Sequence, residues 1–336
     1  MFQHFEKLII KLKEYSKEIG FDRLGVTHCK TLPDFGRYES WIQKGYAADM
    51  WYLTEPSRVE KRKNIEKILP GAKSVIVGAI SYAPKNNDHS TDAKFGRYAW
   101  GKDYHLVVQK KLKQLAQWLT EHVKEPFSYV TYVDTGPILE RSLAERAGVG
   151  WIGKNTCVMH ETTGSYLYLG EIITTLSLPE DSPAINRCGT CTRCLDACPT
   201  GALVGPYQLD SNQCISYHTI ESRAVNIPDS IAKRLNGWVA GCDICQEVCP
   251  WNQEPLVLRL QELSPLLHTR LSLQEALALD EITHKNLFQK TSLKRVKWPQ
   301  FLRVVKTALT FKNQLDIAKP SLDNALRQHD RAQKPI

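Results

Sequence analysis

The sequence predicts a mixed domain of strands and helices, α/β or α+β, over residues 1–180, a small cysteine-rich domain over 181–254, and a helical, basic region over 255–336. Three observations carry that division. Strand-like and helix-like segments alternate through the first half, as they do where helices cover a sheet. Eight of the ten cysteines crowd between positions 188 and 249. Beyond 255 the apolar residues recur at helical spacing, with breaks expected near Pro265 and Pro299.

In chain order, Phe5, Leu8, Ile9, Leu12, Tyr15 and Ile19 fall on one helical face, and Gly20 stops that helix. Arg23 to Thr27 reads as a short strand. Residues 34–68 are polar and mostly helical in pattern, and Pro70-Gly71 ends them. Ser74 to Ile80 is a β-branched apolar run, the signature of a buried strand. A polar loop over 84–94 precedes an amphipathic helix over 103–122. Tyr129 to Val133 is a further strand, followed by the turn Asp134-Thr135-Gly136-Pro137 and a helix over 138–147. Leu167 to Leu176 closes the domain as a strand, and Pro179 to Pro183 is the linker.

Bulk composition narrows the class. No apolar run approaches the ~20 residues of a membrane-spanning helix, and the N-terminus has no signal-peptide core. A cytoplasmic location with no membrane partner is therefore expected. In a reducing compartment, clustered cysteines point to metal rather than to disulfides. The formal net charge of +8 permits an anionic partner. From Lys285 to Lys312 there are eight basic residues and no acidic one, with Phe288, Trp298, Phe301 and Phe311 interleaved. Such a stretch fits a phosphate backbone, and it fits equally the solvated face of an ordinary helical cap.

Cys188-x2-Cys191-x2-Cys194-x3-Cys198-Pro199 is the bacterial ferredoxin run, in which the fourth thiolate reaches the other cluster. A second full run would need a cysteine at 239, where Val239 stands, but Cys242, Cys245 and Cys249-Pro250 are in place. Cys214, between the runs, supplies the missing ligand. One [4Fe–4S] cluster then takes Cys188, Cys191, Cys194 and Cys249, and the other takes Cys198, Cys214, Cys242 and Cys245. A pair of four-cysteine zinc sites is the alternative, and the x2-x2-x3-Pro spacing suits it poorly. Cys29 and Cys157 lie outside the pattern, where a buried inert thiol is the default. A two-cluster module fused to a larger domain acts as a wire, so a second redox centre is expected in residues 1–180. That stretch has no Gly-x-Gly-x-x-Gly after a strand and no phosphate-binding loop of the Walker type. It also lacks the Asp-x-His-x-x-Gly box of mutases, since Asp103-Tyr104-His105 begins like it but position 108 is Val.

Several motifs together resemble the epoxyqueuosine reductase family. They are Tyr132-Val133-Asp134-Thr135-Gly136-Pro137, Glu140-Arg141, Ala147 through Asn155, Gly170-Glu171, Arg97 through His105, and Leu209-Asp210 with Cys214-Ile215-Ser216-Tyr217. The resemblance covers roughly residues 1–255. Past that point the paired small and apolar residues of a helical-repeat tail, with which many members end, are not found. It implies a cobalamin-binding domain on a scaffold like those of nitroreductases and reductive dehalogenases, fed by the two clusters. The implied reaction turns the epoxide of epoxyqueuosine, at the wobble position of tRNA, into the alkene of queuosine, with electrons from an external low-potential donor.

By the same resemblance Asp134 is the proton donor. It can act near neutral pH only if burial lifts its pKa well above the roughly 3.9 of a free aspartate; its position before a helix makes an N-cap the competing role. Arg58, Arg97, Asn155 and Cys157 are candidates for cobalamin contacts, each with an idle surface or packing role as its alternative. Ser216 and Asp243 join them because each lies beside a ligand of the Cys214 cluster, expected to face the cobalamin. Arg141, Lys294, Arg295 and Lys297 are candidates for tRNA. Two other function classes stay open: a reductive dehalogenase acting on a small molecule, and a non-catalytic electron carrier or cobalamin-handling module.

Overall fold

The computed structural model describes residues 2–30, 34–85 and 89–312; the helical pattern expected over 313–336 lies outside the described residues. The first part is built on one sheet of strands β1 (Arg23–His28), β2 (Ser74–Ser81), β4 (Tyr129–Tyr132) and β7 (Leu167–Thr174), in the order β1-β2-β7-β4. Three smaller pairings complete the strand list. Strand β3 (Lys94–Phe95) pairs with β10 (Trp238–Ala240), β5 (Trp151–Ile152) with β6 (Val158–Met159), and β8 (Leu203–Gly205) with β9 (Gln208–Leu209). The helices of this part are α1 (Phe2–Glu18), α2 (Phe35–Gln43), α3 (Trp51–Thr54), α4 (Pro56–Lys63), α5 (Tyr104–His122) and α6 (Glu140–Arg146).

Every neighbouring pair in the main sheet is antiparallel. The alternation of strands and helices pointed to α/β for residues 1–180, and the antiparallel register corrects this to α+β. All eight residues of β2 are buried, because helices cover both faces of the sheet. With period two, Ile76 and Ile80 face Leu8 and Leu12 of α1 and Leu112 and Leu115 of α5. Val75, Val77 and Ala79 face Leu143 and Ala144 of α6.

A second core crosses the boundaries drawn from sequence. It joins Ala93, Phe95, Ala99 and Trp100 to Ile215, Trp238 and Val239, and to Phe288, Leu293, Phe301 and Val304. The parallel pair β3–β10 forms its seam, with Trp238 opposite Lys94 and Ala240 opposite Phe95. The region past 255 is less helical at first than its pattern predicts, running through 3-10 turns at Gln261–Leu263 and Leu267–Arg270. Pro299 does not break a helix; it lies in the first turn of one over 298–312, where a missing N–H costs nothing. None of the described helices is long and apolar enough to cross a membrane.

The C-terminal region grips residues 100–103 through their backbone. Leu266 N–H donates to the Trp100 carbonyl (2.9 Å), Lys102 N–H to Glu262 (3.1 Å) and Asp103 N–H to Lys290 (2.8 Å). Gly101 permits the approach, since a Cβ there would lie 2.3 Å from the Leu263 carbonyl oxygen. Gly101→Ala is therefore expected to cost about 1–3 kcal/mol by overpacking, read as a lower melting temperature; an unchanged one would show that this contact is loose.

Candidate active site

Two adjoining cavities open between the main sheet and the cysteine-rich part. One, of about 410 Å³, is lined among others by Tyr104, His105, Asp134, Cys214, Ser216 and Arg295. The other, of about 310 Å³, is lined among others by Arg62, Asp134, Ile138, Glu140, Thr156 and Tyr207. Trp41, Leu53, Asp134, Arg141 and Leu209 belong to both walls.

Asp134 follows the last residues of β4 in a left-handed conformation (φ 61°), rare for a residue with a Cβ. Its backbone N–H donates to Glu140 Oε1 at 2.6 Å, and Arg58 donates to the Thr135 carbonyl at 3.0 Å. The turn is thus held from both sides, and its side chain reaches the cavity 51% exposed. The carboxylate does not cap the following helix, whose N-cap is Leu139. Instead Oδ2 accepts from Tyr104 Oη at 2.8 Å and lies 3.3 Å from His105 Nε2. The other ring nitrogen of His105 is 2.7 Å from Asp103 Oδ1, and Lys294 donates to Asp103 Oδ2 at 2.6 Å.

The charges follow from this wiring. At Asp134 burial pushes the carboxyl up, but the bonds from His105 and Tyr104 outweigh it and leave the group below its ordinary value. This reverses the expectation that burial would raise it: the bonds from His105 and Tyr104 decide. Burial works against the His105 cation, yet Asp103 and Asp134 carry its pKa up to about 9. Asp103, despite burial, is brought down to about 2 by His105 and Lys294. Behind Asp134, burial and then the Asp134 charge push Glu140 up to about 8. Glu171 on β7 is wholly buried, and neither of its oxygens has a hydrogen bond of regular geometry. Burial and then the neighbouring Glu140 push it well above the carboxylate range.

The other expected residues divide. Ser216 and Arg141 are on the cavity walls, Arg141 donating to the Thr156 carbonyl at 2.7 Å. Arg58 spends its side chain on Tyr52 and Thr135. Asn155 is buried behind the wall and donates to the Cys245 carbonyl at 3.3 Å; Cys157, its neighbour, is pushed up to about 11 by burial. Arg97 and Asp243 are not on either wall. They are buried against each other, with Arg97 Nη1 3.2 Å from Asp243 and 2.6 Å from Glu247. Burial dominates at Asp243, whose carboxyl stays raised despite the Arg97 cation. Lys294 and Arg295 do not present free cations outward: Lys294 pairs with Asp103 and Arg295 with Glu221, both at 2.6 Å. Lys297 is exposed. Tyr104, His105, Glu140 and Glu171 stood inside the quoted motifs, but spacing alone gave them no role.

The eight thiols fall into two groups by mutual electrostatics. Burial and then Cys188, Cys194 and Cys191 push Cys249 up to about 11. Cys214 is raised by burial and by Cys198, and Cys242 by burial, Cys214 and Cys198. Cys245 is raised by burial, with Cys157, Cys242 and Cys214 adding to it. As the side chains stand, no group of three or more His, Cys, Asp or Glu among the described residues is set to hold a metal ion.

Comparison with known proteins fits this geometry. Residues 62–135 match the family described as "Epoxyqueuosine reductase QueG, DUF1730", and residues 187–252, which span all eight thiols, a "4Fe-4S double cluster binding domain". An epoxyqueuosine reductase of Atelocyanobacterium thalassa is 40% identical over 307 residues, covering 89% of this chain and 98% of that protein. The chain belongs to the epoxyqueuosine reductase family. A Synechocystis relative of the same name is 54% identical over 219 residues, 65% of this chain and 74% of its own. Among solved structures, an epoxyqueuosine reductase with an epoxyqueuosine-modified tRNA-Tyr stem loop superposes with a TM-score of 0.83 at 35% identity, over 91% of this chain and 82% of that one. A Bacillus subtilis epoxyqueuosine reductase, captured with its catalytic aspartate loop swung out of the active site, gives 0.80 at 33% identity, over 91% and 82%.

The Arg97 pair generates a prediction of its own. Arg97→Leu leaves the buried Asp243 carboxylate without its cation, while the part-exposed Glu247 keeps His89 at 3.3 Å, and is expected to cost about 3–5 kcal/mol. Thermal unfolding measures it; a melting temperature equal to the parent's would refute a structural role.

Proposed function

We propose that this chain reduces epoxyqueuosine in tRNA to queuosine, with electrons from an external low-potential donor passing through two [4Fe–4S] clusters to a cobalamin, and with Asp134 as the proton donor. The observation that carries this reading is a single cavity lined both by Asp134, on its strained turn, and by Cys214, a thiol of the second quartet. The acid and the wire share one space.

The residues present fit the implied groups. Two thiol quartets, Cys188, Cys191, Cys194 and Cys249 and then Cys198, Cys214, Cys242 and Cys245, are the donor chemistry of [4Fe–4S] clusters. The adjoining cavities, walled by Trp41, Met50, Leu53 and Leu209 with Ser216 and Arg141 at the polar positions, offer a broad ring the mixed lining it needs. Asn155, Cys157, Arg58 and Asp243 then support that wall from behind. Both nitrogens of His105 are engaged by carboxylates, so this side chain is not free to ligate. When bound, the clusters and cobalamin supply low-potential electrons to the epoxide carbon.

The chain's own part is to hold the substrate and move protons. Breaking a carbon–oxygen bond leaves charge on oxygen, and Asp134 stands in the cavity to protonate it. The turn that presents it is fastened by Glu140 and Arg58 rather than packed in the core, which suits a loop that must admit a nucleoside. Such a base has to be splayed from its strand and enclosed. Asp134→Asn keeps the shape and removes the acid. It is expected to lower turnover by ~10²–10⁴-fold with tRNA binding retained, when oxygen loss from the nucleoside is followed by mass. Full turnover by this variant would exclude the acid role.

The tRNA surface is drawn more narrowly than the whole basic stretch. Lys294 and Arg295 face acids at the cavity, Lys312 pairs with Asp92, and Arg303 donates to backbone carbonyls. Lys285, Lys290, Lys297 and Lys306 are exposed and serve as the phosphate contacts, with Arg141 nearer the base. Lys290→Glu with Lys297→Glu is expected to weaken binding of the tRNA stem loop and to flatten the logarithmic salt slope by about 1–2. An unaltered slope would move the interface elsewhere.

A further inference from the structure

The proposed reaction needs more protons than Asp134 can hold. Turning an epoxide into an alkene breaks both carbon–oxygen bonds, forms the carbon–carbon double bond, and releases the oxygen as water. Two electrons and two protons enter; the donor and the clusters account for the electrons. A single carboxyl delivers one proton and must then be refilled before the hydroxyl can leave. In this structure Asp134 also lies close to a cation, so it starts as a carboxylate.

We propose that His105 is the residue that loads Asp134, with Asp103 and Lys294 as the fixed arm that holds it in line. This inference rests on the epoxide-reducing reading of the cavity. The geometry is a continuous chain: Lys294 Nζ to Asp103 Oδ2 at 2.6 Å, Asp103 Oδ1 to His105 Nδ1 at 2.7 Å, and His105 Nε2 to Asp134 Oδ2 at 3.3 Å. Asp103 is the N-cap of α5, its Oδ1 also accepting from His105 N–H at 3.1 Å, so the ring and its anchor sit on one turn. The His105 ring is 26% exposed and lines the cavity, which opens it to protons from solvent.

Other groups around the ring do not substitute for it. Tyr104 stacks on the imidazole, and its phenol donates to the same Asp134 oxygen, but burial keeps its own proton in place well above pH 10. Arg295 adds positive charge near Asp134 and cannot release a proton. Glu140 meets the backbone of the turn, not the acid, and Tyr98 is held well above its ordinary value mainly by burial, out of working range.

The step balances as follows. His105 Nε2–H passes to Asp134 Oδ2, and the neutral ring keeps its Nδ1–H on Asp103. Asp134 gives that proton to the epoxide oxygen as the first carbon–oxygen bond breaks and its electron pair goes to oxygen. Solvent reprotonates His105, the transfer repeats, and the hydroxyl leaves as water with the second carbon–oxygen bonding pair, while the two electrons delivered by the donor become the carbon–carbon double bond. His105 touches Asp134 and not the substrate, so its role is that of a positioning and loading residue.

The test compares pH profiles of oxygen loss from epoxyqueuosine-tRNA for the reconstituted parent, His105→Gln and Asp103→Asn, with ring NMR of His105 in the parent and in Asp103→Asn. With the imidazole protonated up to about pH 9, parent activity is expected to hold until that range and to fall above it. In His105→Gln, Asp134 must hold its own proton, so the falling limb moves toward acid and turnover near neutrality drops at least ~10-fold. Asp103→Asn shifts both the limb and the ring titration toward acid. Lys294→Met, at an exposed ion pair, guards against misfolding: it takes a cation away from Asp103 and so favours the His105 imidazolium, and its limb is expected to move slightly toward alkali, opposite to that of Asp103→Asn. A His105→Gln protein with the parent's alkaline limb and rate overturns the inference, as does a ring that titrates at its ordinary value. If the parent removes no oxygen while its ring titrates high, the functional reading falls instead, and the two failures are told apart.

Discussion

The arrangement depends on one buried cation. Arg97 enters the interior with both its backbone N–H and its guanidinium on Asp243 Oδ2, at 2.7 and 3.2 Å, and with a second carboxylate, Glu247, at 2.6 Å. Removing such charges from water costs several kcal/mol per ion, and hydrophobic residues of similar size would hold the parts together as well. What the ions add is register. Asp243 lies between Cys242 and Ile244, so the pair sets the second thiol quartet against residues 94–100. Three residues past Trp100, Asp103 opens α5 and starts the carboxylate–imidazole chain. One short segment therefore fixes the thiols on one side and the acid on the other.

The second organising feature is the way three neighbouring carboxyls share charge. Asp134, Glu140 and Glu171 cannot all ionise in a low-dielectric pocket. Asp134 has His105 and Arg295 close by, and it keeps the negative charge. Glu140 and Glu171 have burial and each other, and they keep protons. A neutral Glu171 is also what allows a carboxyl to lie at the centre of the sheet without a counter-ion. The left-handed backbone of Asp134 costs on the order of 1–3 kcal/mol; the Glu140 bond to its N–H and the Arg58 bond to the next carbonyl offset that cost. Strain and charge are thus placed on the same residue.

Much of this was legible in the sequence, for reasons that are local. A cubane is wrapped by thiolates a few residues apart, so the x2-x2-x3 spacing alone pointed to the double-cluster domain that residues 187–252 match. Strand β2 was legible because Val75 to Ile80, buried on both faces, form a near-continuous apolar run. The antiparallel register was not, since period-two patterning is blind to direction. Nor was the two-residue pair β3–β10, far too short to stand out, though it seams the second core. Arg97 and Lys294 misled for a shared reason: in each the partner acid is remote, 146 and 191 positions away along the chain. Counting charges in a window cannot see such partners. In sequence Asp103-Tyr104-His105 resembles only a broken cobalt-ligand box, whereas the His105 ring is taken up by two carboxylates, one of them 29 positions away.

The links of the carboxylate–imidazole chain are not equal. Lys294 is 52% exposed, and an ion pair so open to water is worth no more than about 1 kcal/mol. Asp103 is 3% exposed, caps a helix with the oxygen that also meets His105, and donates its own backbone N–H to the Lys290 carbonyl of the C-terminal region. Its position is therefore set by the fold, and Lys294 adds alignment more than energy. The weak member is the 3.3 Å approach of His105 to Asp134, and it is weak at the right place. A short, fully buried bond there would lock the proton between the two groups, whereas a long bond on a turn held from outside lets Asp134 move toward a substrate and come back to be refilled.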